Sequence, residues 1–273
     1  MAELTNENYH STEMRQKYMG YSQFCDFLAC ERKALARVKG EIEDESTDAF
    51  SFGGYVDAYF SHELNDFIPQ HPEMFNSKTG ELKSQFKHIE NVIKTIEEDE
   101  VLMKYLNGEH QVIMTGEIAG VPFKIKIDAY HPGKLIVDQK IVRSMEPIWV
   151  EETAENGQKY NVKKSFWRAW HYEFEGCIYR EIVRQNTGLT LPFVLAVTTK
   201  ENVPDKGLYR IPDEVLDEAL EVVKKLAPRF DAIKKGEIEP ESCGQCDVCR
   251  KLKKLTGVFD ARILDPDYDK DNY

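Results

Sequence analysis

Two runs of alternating apolar and polar residues in the segment 121–142 constrain the fold more than any other part of the chain. They flank the tetrapeptide 131–134 (HPGK), whose proline and glycine are typical of a tight turn. The pattern predicts a β-hairpin. Because side chains on a strand alternate between its two faces, the hairpin places Asp128 of the first strand roughly opposite Asp138 of the second.

Opposed carboxylates at Asp128 and Asp138 would destabilise a hairpin, since directly paired side chains have Cβ atoms only about 4.5–5.5 Å apart. A divalent metal ion would offset this repulsion, and sites rich in carboxylate oxygen suit Mg²⁺ or Mn²⁺. Lys140 shares the face of Asp138 by the two-residue step, so it can orient or deprotonate a metal-bound water molecule there. An exposed hairpin with scattered charges is the alternative interpretation.

An aspartate on one strand followed by Asp138-x-Lys140 on the next resembles the PD-(D/E)xK nuclease superfamily. The resemblance implies an α/β fold with a mixed central sheet flanked by helices. It implies that Asp128, Asp138 and Lys140 are catalytic. It also implies a Mg²⁺ or Mn²⁺ ion whose ligands are Asp57, Asp128, Asp138 and the backbone carbonyl of Gln139.

Asp57 enters this set through a second resemblance. The segment 50–67 carries Gly53-Gly54 ahead of a predicted helix with Asp57 in its first turn. In RecB-like and RecE-like nucleases a similar stretch has a glycine before a helix that bears a metal-binding histidine. Asp57 takes that position here, and an aspartate is also a ligand for hard metal ions. His62 is an alternative ligand, and an interaction of Asp57 with the helix macrodipole is the structural alternative.

The composition is typical of a soluble globular protein, since 41% of the 273 residues are hydrophobic and 31% are charged. No apolar run approaches the roughly 18 residues that a membrane-spanning helix needs, and the polar, acidic start does not resemble a signal peptide. We therefore expect a cytoplasmic protein without membrane contact. The net charge of −12 argues against a general binder of polyanions, so any contact with DNA has to be local.

The segment 156–185 is the best candidate for that local contact, because basic and aromatic residues are interleaved in it. Basic groups contact phosphates and aromatic rings stack on bases. The alternative is an amphipathic helix whose aromatic residues belong to the core. A helix is predicted over 172–184, and it resembles the helix of RecB-like nucleases that carries a Gln-x-x-x-Tyr signature, matched here by Glu175 and Tyr179. The predicted DNA contacts are Lys124, Lys126, Lys159, Lys163, Lys164, Arg168 and Tyr179.

Hydrophobic periodicity predicts the remaining elements. Helices are predicted over 22–38, 83–106 and 212–233, and strands over 111–119, 191–200 and 207–211. Together with the hairpin they predict a single nuclease domain over 1–258, followed by an acidic C-terminal tail over 259–273.

Three of the six cysteines form a C-x₂-C-x₂-C run at Cys243, Cys246 and Cys249. Cysteines in cytosolic proteins are more often metal ligands than disulfide partners. A fourth ligand has to come from elsewhere, with Cys30 the first candidate and Cys25 the second. The run resembles the centre of AddB-type and CRISPR-adaptation nucleases, which implies a four-iron iron–sulfur cluster tying together the two ends of the domain. A structural zinc ion and an unliganded set of thiols are the alternatives.

The motifs occur in the same order as in the RecE-like exonucleases of phages and prophages. That resemblance implies a 5′-to-3′ exonuclease that acts on double-stranded DNA ends in recombination. It further implies a single-strand annealing protein as partner and a homo-oligomer, often a ring. A non-catalytic DNA-binding module of the same fold and an iron–sulfur electron carrier are the alternatives.

Overall fold

A mixed five-stranded sheet forms the centre of the computed structural model, which describes residues 4–42, 48–153 and 159–264. The strands in these ranges are β1 (Glu109–Ile118), β2 (Val121–His131), β3 (Leu135–Val142), β4 (Ile148–Thr153), β5 (Lys159–Lys164), β6 (Phe193–Thr199) and β7 (Lys206–Arg210). The central sheet has the order β1-β2-β3-β6-β7, and β4 and β5 form a separate two-stranded ladder. Within the central sheet β3 and β6 are parallel, whereas the other neighbouring pairs are antiparallel.

The predicted hairpin is confirmed as β2 and β3, and its ladder stops where the acidic residues begin. The last paired residues are Ala129 and Val137. One further step in this register would pair Asp128 with Asp138, but the backbone N–H of Gln139 donates instead to Oδ2 of Asp128 at 2.8 Å. The carboxylate therefore replaces a ladder carbonyl, and the two strands separate at this point.

Helices cover both faces of the central sheet. One face packs against α2, α3, α9 and α10 through buried residues such as Phe27, Ile125 and Ile178. The other face packs against α4, α6 and α7 through residues such as Val56 and Val137. This arrangement confirms the predicted α/β fold with a mixed central sheet. The helices are α1 (Thr12–Lys17), α2 (Tyr21–Ala29), α3 (Glu31–Val38), α4 (Asp48–Phe60), α5 (Leu64–Gln70), α6 (His88–Glu97), α7 (Glu100–Leu106), α8 (Phe166–Ala169), α9 (Tyr172–Thr187), α10 (Asp213–Lys235) and α11 (Asp247–Leu252).

Two of the predicted helices are each divided in the structure. The helix predicted over 22–38 breaks at Cys30, whose extended backbone (φ −166°, ψ 110°) ends α2 and begins α3. The helix predicted over 83–106 breaks at Asp99, which caps α7 because its side chain accepts the N–H groups of Val101 and Leu102. Apolar spacing continues across both breaks, so periodicity alone did not reveal them.

The Gly53-Gly54 pair lies inside α4 rather than before it, which corrects the predicted helix start. A Cβ atom at Gly54 would lie 2.9 Å from the ring of Phe67, so the glycine allows α5 to pack closely on α4. Asp57 is consequently far from the first turn of α4. An interaction with the positive end of the helix macrodipole, which falls off within one turn, therefore does not explain this aspartate.

The acidic tail begins in the described part of the chain with a short 3₁₀ helix, Ala261–Leu264. The rest of the predicted tail, 265–273, lies outside the described residues. Among the helices that the structure describes, none is both long and apolar enough to cross a bilayer.

Candidate active site and cysteine centre

Lys140 connects two acidic side chains at the open end of the hairpin. Its Nζ atom lies 2.8 Å from Oδ2 of Asp138 and 2.9 Å from Oε2 of Glu175. Asp138 and Glu175 are only 2% and 5% exposed, so this ion-paired group is almost fully enclosed. The Lys140 ammonium also lies 4.8 Å from the ring centroid of Tyr172, a cation–π contact that fixes its remaining side.

The lysine keeps its proton in this arrangement. Burial by itself would lower the pKa of Lys140, but the charges of Asp138 and Glu175 outweigh it and raise that pKa well above its usual range. In turn, burial and the charge of Asp138 raise the pKa of Glu175 to about 8. One ammonium therefore compensates only part of the acidic charge gathered here.

Asp128 and Asp57 add two further carboxyl groups to the same region. Burial, followed by the charges of Asp138 and Asp57, raises the pKa of Asp128 well above its usual range. Burial raises the pKa of Asp57 to about 6, against the opposing positive charge of Lys126. Each of these carboxyl groups is thus more easily protonated, first because it is removed from water and second because neighbouring carboxylates are negatively charged.

Gln111 positions Asp57. Its amide nitrogen donates to both carboxylate oxygens of Asp57, at 3.1 and 3.2 Å. Gln111 is buried and has a positive φ of 52° within β1, a conformation that costs a non-glycine residue energy. The strained backbone of Gln111 directs its side chain toward α4. There it holds Asp57, a candidate metal ligand, in one orientation.

The donor types of these residues suit a hard divalent cation. Asp57, Asp128 and Asp138 supply carboxylate oxygens, which are the ligands that Mg²⁺ and Mn²⁺ prefer. The carbonyl of Gln139 adds a fourth oxygen on the same side, because the N–H and C=O groups of a strand residue point in one direction and its N–H reaches Asp128. A cation among these groups would compensate their negative charges, which add to burial in raising the pKa values of Asp57 and Asp128.

Glu175 is the site residue that the sequence analysis did not assign to catalysis. Its place in the Gln-x-x-x-Tyr signature was a signal, but only the packing of α9 on the sheet brings it to Lys140. Tyr179, one turn further along α9, is buried, and its hydroxyl donates to the carbonyl of Lys126 at 2.9 Å. Tyr179 therefore braces β2 beside the carboxylates rather than standing exposed to a ligand.

Lys124 does not occupy the position expected of a DNA contact. It is buried, its ammonium donates to the carbonyl of Tyr9, and it lies 4.3 Å from the centroid of the Tyr9 ring. Burial lowers the pKa of Lys124 to about 8. Alternation correctly places Lys124 on the face of Lys126, but the N-terminal segment covers it. Lys126 is only partly covered.

The basic segment contributes strand β5, which pairs with β4 from the preceding residues to form a hairpin, and its helices α8 and α9 follow that strand. The hairpin exposes aromatic rings at Trp149 in β4 and Tyr160 in β5, which are 64% and 47% exposed. Lys163 lies 5.5 Å from the centroid of Trp149. The two other lysines of the segment form ion pairs, Lys159 with Glu151 and Lys164 with Glu152. Arg168 lies on α8 above the ring of Trp167, 4.4 Å from its centroid.

His62, the alternative metal ligand, lines a cavity of about 420 Å³. It has a positive φ of 63° two residues after the end of α4, and its ring centroid is 6.0 Å from that of His110. Tyr59 and Met103 also line this cavity. The Nδ1 atom of His110, which also lines this cavity, lies 3.1 Å from the backbone carbonyl oxygen of Asp128, so the cavity borders the carboxylate site.

The four cysteines selected from the sequence come together in a second cluster. Their sulfur atoms all lie within 4.8 Å of one another, a geometry that can hold a metal ion. The break between α2 and α3 turns Cys30 toward the C-terminal run, whereas Cys25 lies within α2 and is half-buried. The cluster consists of Cys30, Cys243, Cys246 and Cys249.

We expect the acidic site to cost stability when no divalent ion is added. Because the folded-state pKa values of Asp57, Asp128 and Glu175 are raised, the native state binds more protons than the unfolded state between about pH 4 and 8, and stability falls as pH rises. Asp128→Asn should then raise the melting temperature at pH 8 by several degrees, at about 2–4 °C per kcal/mol. The gain should be smaller at pH 5.

Thermal melts of both proteins from pH 5 to 8, with and without Mg²⁺, check this expectation. The Asn side chain can still accept the N–H of Gln139, so the variant keeps the local backbone arrangement. Mg²⁺ should stabilise the wild type at pH 8 and have much less effect on Asp128→Asn. A variant that is less stable than the wild type at every pH would contradict the expectation.

Comparison with known proteins is consistent with this geometry. Residues 20–252 match the family described as PDDEXK-like domain of unknown function (DUF3799). The crystal structure of a proposed exonuclease from Eubacterium rectale, determined at 2.19 Å, is similar to the chain with a TM-score of 0.87 and 41% sequence identity. The similarity covers 97% of this chain and 99% of the other. No curated protein matches the chain.

Proposed function

Because this chain belongs to the family of PDDEXK-like domains, we propose that it is a Mg²⁺-dependent deoxyribonuclease that degrades double-stranded DNA from its ends, in the 5′-to-3′ direction. One observation carries the proposal. Lys140 is enclosed between Asp138 and Glu175 beside the carboxylate of Asp128, at the point where the hairpin opens. A buried cluster with this excess of acidic charge destabilises a fold, so its presence favours a catalytic use.

Each residue of the cluster has a distinct task in phosphodiester hydrolysis. Asp57, Asp128, Asp138 and the carbonyl of Gln139 would hold the divalent ion, which supplies Lewis-acid stabilisation of charge on the phosphate when bound. Glu175 and Tyr172 hold the Lys140 ammonium in one orientation. Lys140 then positions the attacking water and stabilises the negative charge that develops on the phosphate in the transition state.

The electrostatics of Lys140 suit a role in charge stabilisation. Its raised pKa keeps the side chain charged at neutral pH, so it donates hydrogen bonds rather than accepting a proton. Glu175, on α9, holds the Lys140 ammonium in addition to the pairing of that ammonium with Asp138. The ammonium would direct a donor toward a bound phosphate.

Two alternatives receive less support from the same residues. A non-catalytic DNA-binding module would not require a half-buried lysine with two carboxylate partners, because phosphate binding needs exposed positive charge. An iron–sulfur electron carrier would not require the acidic hairpin. The resemblance to RecE-like exonucleases also supports a cytoplasmic homo-oligomer that works in phage or prophage recombination beside a single-strand annealing protein. These features, like the single domain over 1–258, remain predictions.

Digestion of labelled DNA tests the proposal. The protein is incubated with Mg²⁺ and duplex DNA that is linear with a 5′ label, linear with a 3′ label, or covalently closed. We expect loss of both linear substrates, early release of the 5′ label as a small product, and an intact circle. Cleavage of the circle would show endonuclease action, and no cleavage of any substrate with Mg²⁺ or Mn²⁺ would overturn the nuclease proposal.

The β4–β5 hairpin gives a separate prediction for DNA binding. Neutralising Lys159, Lys163 and Lys164 together by glutamine should weaken binding and flatten its salt dependence, by about 0.9 in slope for each phosphate that is no longer neutralised. Lys163 should contribute most when changed alone, because acidic neighbours already pair the other two lysines.

Affinities measured at several salt concentrations on a DNA end, with Ca²⁺ replacing Mg²⁺, report this slope without cleavage. Lys94→Gln is a matched control, because Lys94 is an exposed residue of α6 paired with Glu98. An unchanged slope in the triple variant would mean that these lysines are only a solvated surface.

A further inference from the structure

The sulfur atoms of the cysteine cluster are closer together than a four-iron cluster allows. The Sγ atom of Cys30 lies 3.7 Å from that of Cys246 and 3.5 Å from that of Cys249. The Sγ atoms of Cys243 and Cys249 are 3.8 Å apart. The greatest separation within the set of four is below 4.8 Å. The spacing therefore measures the size of the group that these thiolates can surround.

Tetrahedral geometry converts that spacing into a metal–sulfur distance. Four thiolates at about 2.3 Å from one zinc ion stand about 3.8 Å from one another, since the edge of a tetrahedron is about 1.6 times its centre-to-corner distance. In a four-iron cluster each thiolate binds a different corner iron, so neighbouring sulfurs must be about 6 Å apart. We propose that Cys30, Cys243, Cys246 and Cys249 hold a single tetrahedral zinc ion, and not the iron–sulfur cluster that the family resemblance implies.

The local backbone supports a small charged centre. The N–H groups of Gln245 and Cys246 point to Sγ of Cys243 at 3.5 and 3.3 Å, and the N–H of Cys249 points to Sγ of Cys246 at 3.5 Å. Gly244 adopts the positive φ of 70° that this tight turn requires. Donors directed at sulfur stabilise thiolates, and four thiolates around one Zn²⁺ leave a net charge of −2 that needs such stabilisation.

Contacts outside the cysteine run also hold the sulfur-bearing segments close together. Arg229 on α10 donates to both carboxylate oxygens of Glu31, at 2.7 and 3.0 Å, and to Glu241 at 2.9 Å. The backbone N–H of Glu241 donates to Glu31 at 2.6 Å. Glu31 follows Cys30, and Glu241 precedes Cys243 by two residues. These bonds tie the two ligand-bearing segments together independently of a metal, so they restrict how far the cluster can widen.

The site is built for structure rather than chemistry. All four positions around the ion would be occupied by protein sulfur, which is the pattern of structural zinc sites and leaves no open position for a substrate. Cys30 and Cys249 are buried, and Cys30 is separated from Cys246 by 216 residues in sequence. The zinc would therefore join α2 and α3 to α11, and its identity does not depend on the nuclease proposal.

Metal analysis of full-length protein, made with an affinity tag that lacks histidine and purified without oxygen from cells supplied with both iron and zinc, tests the inference. We expect a colourless protein with one zinc per chain, no acid-labile sulfide, and a zinc X-ray absorption spectrum with four sulfur neighbours at about 2.3 Å. Replacement of zinc by Co²⁺ should give the intense visible bands of a tetrahedral tetrathiolate.

Matched variants identify the residues that bind the metal. Cys246→Ser should lose the zinc, whereas Cys25→Ser and Cys177→Ser, which change cysteines outside the set of four, should keep it. Asp138→Asn should also keep it, which separates this ion from any metal at the carboxylates. Brown protein with about four irons and matching sulfide would overturn the inference. One iron without sulfide, or metal-free protein with all thiols reactive, would overturn it as well.

Discussion

Replacing Lys140 by alanine should lower the rate of Mg²⁺-dependent DNA digestion by at least about a thousandfold, the cost of removing one preorganised group that stabilises charge in a transition state. Asp138→Ala should have an effect at least as large, because it removes a proposed metal ligand together with a partner of Lys140. DNA binding should survive both changes, since the exposed β4–β5 hairpin is unaltered. Single-turnover digestion of end-labelled duplex and a binding assay in Ca²⁺ measure the two quantities separately.

The ion pair between Lys140 and Glu175 makes controls for protein stability necessary. Removing Lys140 leaves Glu175 without its cation, so part of the loss could reflect a weakened fold. The double variant Lys140→Met, Glu175→Gln removes both charges, and it should fold and remain inactive. Lys134→Ala changes an exposed lysine in the turn of the same hairpin and should keep full activity. Wild-type rates in Asp138→Ala would disprove the assignment of the hairpin as the catalytic site.

Cys30→Ser should lower the melting temperature by roughly 10–20 °C, whereas Cys25→Ser should change it little. In the chain-entropy treatment of cross-links, closing a loop of about 100 residues is worth about 4.7 kcal/mol, and the loop here is longer. At about 2–4 °C per kcal/mol, that loss corresponds to the shift expected. Nuclease activity should disappear at the temperature at which the variant unfolds, and it should persist below that temperature.

Thermal melts followed by circular dichroism, with activity assayed at several temperatures, check this second prediction. The comparison between Cys30 and Cys25 is informative because both thiols lie near one helix but only Cys30 lies at the helix break. Equal melting temperatures for Cys30→Ser and the wild type would show that the centre does not hold the ends of the chain together. A large loss of stability in Cys25→Ser would contradict the ligand set.

Features that depend on neighbouring residues could be predicted from the sequence, whereas features that depend on contacts between distant residues could not. Periodicity described β2, β3, β6 and α10 well, because alternation and helical spacing are local properties of the backbone. It missed the breaks at Cys30 and Asp99, since an apolar stripe can continue across a change in chain direction. Periodicity also predicted wrongly that Lys124 is exposed, because nothing near that residue in the sequence indicates that Tyr9 covers it.

The sequence by itself determined the hairpin and the placement of Asp128 opposite Asp138, with Lys140 on the same face of its strand. Its turn residues and its period of two act over a few residues, so no distant interaction is needed to infer them. Only the tertiary structure decided that Glu175 completes the lysine site, that Gln111 orients Asp57, and that the sulfurs stand close enough for one metal ion. Those interactions join residues that are 35 to more than 200 positions apart, and the packing of helices on the sheet sets them.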